Sequence, residues 1–116
     1  MTKQVALALD LLLVVVFAAI GRASHREDVL TGLVATAWPF VVACLVGWAI
    51  LLLRRRPVGS VASGIFLWLV TAWGGLGLRM ATGTSAAPAF WVVTTIAVGL
   101  FLVGWRLLAR RHVAEF

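Results

Sequence analysis

Charged residues are scarce in this chain of 116 residues: 12% are Asp, Glu, Lys or Arg, against 63% that are hydrophobic. A soluble domain of this size cannot cover its core with so little polar surface, so the composition excludes a free-standing globular protein and leaves lipid as the solvent. Cysteine occurs once, at Cys44, which excludes a disulfide framework or a thiolate metal site within one chain. In the middle of an apolar run it reads as a small buried hydrophobe. No nucleophile and base pair, phosphate-cradling glycine loop or metal-ligand spacing is present, so neither an enzyme nor a cofactor or metal is expected. The formal charge of +6 would suggest nucleic acid in a soluble protein. Here the basic residues stand at the ends of apolar runs, where they set topology instead, and no nucleic-acid partner is expected.

What the chain does have is long apolar runs. They are continuous rather than alternating, which selects helices over a closed barrel as the way to satisfy the backbone in lipid. Four runs are long enough to span, at about 5–21, 29–53, 61–80 and 88–108. The predicted fold is therefore all-α, a four-helix transmembrane bundle forming one integral membrane domain over residues 1–116. The runs hinge on Arg54-Arg55-Arg56-Pro57. A cleaved signal peptide competes for the first run, because Lys3, the apolar core and Phe17-Ala18-Ala19 fit that pattern loosely. Asp10 inside the core and three further runs argue against it. Pro39 removes a backbone donor within the second run and predicts a helix bend there. Small residues at Gly32, Thr36, Ala43 and Gly47 allow close helix approach. In the third run Gly64, Trp68, Thr71, Gly75 and Arg79 fall on one face. Pro88 suits the first position of the fourth helix.

With four spans, Lys3, the three hinge arginines, Arg110 and Arg111 share one side, which the positive-inside rule makes cytoplasmic together with both termini. Trp48 and Trp105 near that side and Trp91 near the other suit an aromatic belt, whereas Trp38, Trp68 and Trp73 lie deeper and read as packing residues. At an offset of 57, Arg22 falls on Arg79, and Leu45-Val46-Gly47-Trp48 on Leu102-Val103-Gly104-Trp105. This is either a parallel duplication of a two-helix hairpin or the coincidence that shared apolar bias produces.

A carboxylate deep in hydrocarbon costs about 2.5–3.5 kcal/mol on insertion scales, so Asp10 should find a partner. Arg106 lies at comparable depth on the fourth span, and an intramembrane Asp10–Arg106 pair is expected, acting as an orientation clamp or as a proton or ion relay. On the opposite side Arg22, His25 and Arg79, with Arg26, Glu27 and Asp28 near the first two, could hold an anionic headgroup or a carboxylate solute. Interfacial snorkelling with local salt bridges is the alternative. His25 alone makes no metal site, and His112 reads as solvated.

Asp10, the stretch from Phe17 to His25 with its Gly-Arg-x-Ser-His, Thr36-Ala37-Trp38-Pro39-Phe40, Gly75-Leu76-Gly77-Leu78-Arg79 and Gly104-Trp105-Arg106 together resemble an uncharacterised family of small prokaryotic membrane proteins, of actinobacterial and haloarchaeal type. That family is a domain of unknown function with four predicted spans. The resemblance covers essentially the whole chain, implies the four-span fold and brings no activity with it. The functional expectation is a small non-enzymatic protein of the cytoplasmic membrane, an interaction or accessory subunit. Its partners would be membrane lipids and either itself or a larger membrane complex. The alternative is a small oligomeric transporter or channel using Asp10 and the outer arginine cluster.

Overall fold

All four apolar runs are helical in the computed structural model, which describes residues 3–23, 29–83 and 88–109, with 21–23 and 29–33 as backbone alone. The helices are α1 (Lys3–Ala23), α2 (Val29–Leu53), α3 (Val61–Ala81) and α4 (Pro88–Leu108). No strand occurs among the described residues. Each helix is long and apolar enough to cross a membrane, since 21 residues at about 1.5 Å each reach the thickness of the hydrocarbon layer. The outward faces are as apolar as the inward ones. Leu12, Ile20, Val34 and Leu100 are exposed, while Phe40, Leu67, Leu76 and Leu102 are fully buried. A bundle apolar on both surfaces is matched to lipid rather than water.

Sequence neighbours pack against one another, and α1 meets α4 to close the ring by the least extensive of the four seams. The result is an up-down-up-down bundle with a long axis of 41 Å. Helix α2 runs through Pro39 without a break, and Pro39 itself is buried. Between α2 and α3 the backbones approach closely. Gly47 lies against Leu67 and Val70, and Gly75 against the ring of Phe40. Phe40 in turn meets Phe17 edge to face at 5.5 Å and Phe90 at 6.4 Å, filling the half of the bundle nearer the α3–α4 loop. The face of α3 that carries Gly64, Trp68, Thr71, Gly75 and Arg79 is turned inward: three of the five are buried and the other two half-buried.

The α2–α3 hinge shapes the other end. Arg55 adopts a left-handed φ of 54°, with Arg55 N–H donating to the Leu52 carbonyl and Arg56 N–H to that of Leu51. This is a Schellman closure with arginine in the place glycine usually takes. Ser60 then caps α3 by accepting from the Ser63 N–H, and both serine hydroxyls donate to the Pro57 carbonyl. This tight turn drives Val58 into the bundle, where it is fully buried, and leaves the three arginines exposed.

Candidate functional site

The inward stripe of α1 runs Ala6, Asp10 and Val14 at intervals of four, then Phe17 and Ala18 three and four residues beyond Val14, so helical geometry alone points Asp10 at the bundle axis. The inward stripe of α4 runs Thr94, Val98, Leu102 and Arg106. The two meet near the hinge end, where both Asp10 and Arg106 are completely buried. Arg106 Nη1 donates to Asp10 Oδ1 at 2.9 Å and Nη2 to Oδ2 at 2.8 Å, a fork-to-fork pair. Such bidentate pairs are the strongest that guanidinium makes with carboxylate.

Both groups are saturated beyond the pair. Trp48 donates its indole N–H to Asp10 Oδ2 at 2.8 Å and Trp105 donates to Oδ1 at 2.8 Å. Arg106 Nε and Nη2 both donate to the carbonyl of the buried Val58, at 3.1 and 2.9 Å, and Nη1 donates to the Leu102 carbonyl at 2.9 Å. All five guanidinium N–H donors and both lone pairs of each carboxylate oxygen are therefore occupied. The guanidinium also lies 4.5 Å from the centre of the Trp105 ring, within cation–π reach. Gly64 makes room for its stem, because a Cβ there would sit 2.6 Å from Arg106 Cδ.

Counted by element, α1 supplies Asp10, α2 supplies Trp48, the hinge supplies Val58, α3 supplies Gly64, and α4 supplies Trp105 and Arg106. One cluster thus ties every part of the bundle together and crosses the α1–α4 seam, which apolar packing holds least. In lipid, where helices gain no hydrophobic drive to associate, hydrogen bonds and close packing carry a larger share of that task.

Trp48 and Trp105 differ from the belt role their positions suggest. Trp48 is almost fully buried, and both indoles point at a carboxylate instead of at headgroups. The physical reason is that an unsatisfied Asp10 oxygen inside the bundle attracts the nearest donors. The signal available in the sequence was the Leu-Val-Gly-Trp recurrence at an offset of 57, which puts the two tryptophans at equivalent places. Of the deeper tryptophans, Trp68 packs over Gly99 and donates to the Thr95 carbonyl at 2.7 Å. Trp38 and Trp73 face outward, and Trp73 meets Trp91 edge to face at 5.0 Å. Replacing Trp48 by Phe is expected to cost about 1.5–3 kcal/mol by stranding one lone pair of a buried charge. Equilibrium unfolding in mixed micelles measures it, and a loss below that of a surface Trp-to-Phe control would contradict the assignment.

The outer cluster is described only in part. His25 lies outside the described residues, as does the side chain of Arg22. Arg79 is half-buried, with its guanidinium 5.0 Å from the centre of the Phe90 ring. Among the described residues no group of three or more His, Cys, Asp or Glu side chains comes together as a metal site would require.

The fold and the cluster define an all-helical, membrane-compatible protein whose four helices converge on one buried ion pair. The chain belongs to the family described as "Protein of unknown function (DUF3054)", whose model matches residues 7–109. That match takes in every residue of the cluster. No curated protein and no solved structure matches the chain.

Proposed function

We propose that this chain is a non-enzymatic, multi-pass protein of the cytoplasmic membrane of a prokaryote, with both termini cytoplasmic, and that it works as an interaction or accessory subunit of a larger membrane assembly. The observation that carries the reading is the saturation of Asp10 and Arg106. A carboxylate whose four acceptor positions are all taken offers none to a transported proton or ion, and a guanidinium with five engaged donors offers none to a substrate. The cluster is a clamp that fixes helix orientation, and the working surfaces are the outward faces. On α3 these carry Trp73 and Gly77, and among the described residues nothing beyond its own helix backbone and chain neighbours lies within 4 Å of where a Cβ on Gly77 would be. A small residue beside a large aromatic on a lipid-facing helix suits the close approach of another helix.

The orientation rests on the arginines of the hinge, all exposed at one end of the bundle. We infer in addition that the two hairpins are parallel repeats. Trp48 and Trp105, related by the offset of 57, both donate to the Asp10 carboxylate, which supports equivalent places for them in the two hairpins, although Asp10 itself has no counterpart because the offset carries it to Leu67. The proposed function is tested by purifying the tagged protein from its native membrane in mild detergent, then measuring its native mass and identifying what accompanies it. A second polypeptide at fixed stoichiometry is expected. A clean homo-oligomer would contradict the accessory role and direct attention to flux assays in liposomes.

A further inference from the structure

At the hinge end a cleft of about 370 Å³ opens between the end of α2 and the start of α3, within the roughly 300–1,000 Å³ of small-molecule sites. Its floor is mainly apolar, made by Ile50, Leu51, Ala62 and Phe66 with Ser63, whose hydroxyl is committed to the Pro57 carbonyl, and Arg54 and Arg56 complete the lining. The Schellman turn explains the choice of arginines. With Arg55 left-handed, its two neighbours line the cleft while Arg55 itself does not. Asp10 is the one acidic side chain among the described residues, and it is taken by Arg106, so no described carboxylate competes for Arg54 or Arg56. The cleft also sits at the right depth. Its charged residues begin one position past the end of α2 and its apolar residues lie within the last turn of α2 and the first two turns of α3, the level at which a headgroup meets its acyl chains.

We propose that this cleft holds one anionic glycerophospholipid, its phosphate on Arg54 and Arg56 and an acyl chain along Ile50, Leu51, Ala62 and Phe66. The match is one of charge and of polarity. Guanidinium forks fit phosphate oxygens bidentately, and the apolar floor continues into the exposed surface at Ile50, so the rest of the lipid stays in the bilayer. The site is separate from the outer arginines and holds whether or not the chain is an accessory subunit.

The test is native mass spectrometry of the full chain in detergent with equal amounts of phosphatidylglycerol and phosphatidylcholine. One phosphatidylglycerol is expected to be retained in preference. Arg54→Gln with Arg56→Gln should lower its retention roughly tenfold or more. Lys3→Gln with Arg55→Gln removes the same charge from the same end of the bundle and should change retention less than about twofold, because a general surface attraction is all those residues contribute. Ala62→Trp, which fills the cleft and alters no charge, should also release the lipid. Equal losses from the two charge-matched pairs, equal retention of the two lipids, or undiminished retention by Ala62→Trp would each overturn the site.

Discussion

Replacing Asp10 by Asn, or Arg106 by Met, is expected to destabilise the bundle by about 3 kcal/mol, the lower end of the 3–5 kcal/mol seen when one partner of a buried ion pair is removed. The lower end applies because helices released from the bundle stay in the micelle and find other partners there. In Asp10→Asn the shape is kept, but the amide nitrogen turns a donor toward the donors of Arg106 and a tryptophan, and Arg106 keeps a buried charge without a counter-charge. In Arg106→Met it is Asp10 that loses its counter-charge and two of its donors, and the Val58 carbonyl loses both of its donors. Making both changes together removes both charges. The double variant should therefore be destabilised by clearly less than the sum of the single ones, with a coupling of about 1–3 kcal/mol. Unfolding in mixed dodecyl maltoside and SDS, followed by circular dichroism, reads all four corners of the cycle. Additive losses would show that the two residues act independently and would remove the clamp. Unchanged stability of Asp10→Asn accompanied by loss of proton-coupled uptake in liposomes would point to a relay instead.

The ease with which each part of this arrangement can be read from sequence follows from its physics. Helix number and extent come from one-dimensional properties, the length of the apolar runs and the charges and prolines that bound them, so α2 and α4 begin and end at the residues that hydropathy and capping suggest. Depth is also one-dimensional, which is why Asp10 and Arg106 can be set at a similar level before any contact is known. Rotation is different. Whether Trp48 turns its indole to headgroups or to Asp10 depends on the angle of α2 about its own axis, and a helix apolar all round carries little periodic signal to fix that angle. The Val58 carbonyl lay further out of reach. A backbone acceptor has no side-chain signature, and its burial depends on a turn in which arginine adopts the left-handed conformation, a choice that residue preferences disfavour. The lipid cleft inherits the same difficulty, since three consecutive arginines read as one charge run until that turn separates Arg55 from its neighbours.

Two glycines of α3, Gly75 and Gly77, are expected to respond to the same substitution with opposite signs. A Cβ on Gly75 would fall within 3 Å of three atoms of the Phe40 ring. Phe40 is fully buried and braced edge to face by Phe17 and Phe90, so the ring cannot swing aside, and Gly75→Ala should cost about 1–3 kcal/mol through overpacking. Two residues on, Gly77→Ala meets open space and should stabilise the isolated protein by about 0.5–1 kcal/mol, because alanine loses less backbone entropy than glycine on forming a helix. The same unfolding assay decides both. A neutral Gly75→Ala would mean that α2 and α3 are not held at this close approach. Gly77→Ala carries the functional question further. If the accessory reading is right and a partner helix seats on that open face, the variant should be the more stable one alone and yet leave its partner behind during purification from the native membrane. Stability gained with the partner still bound would move the contact to another face of the bundle.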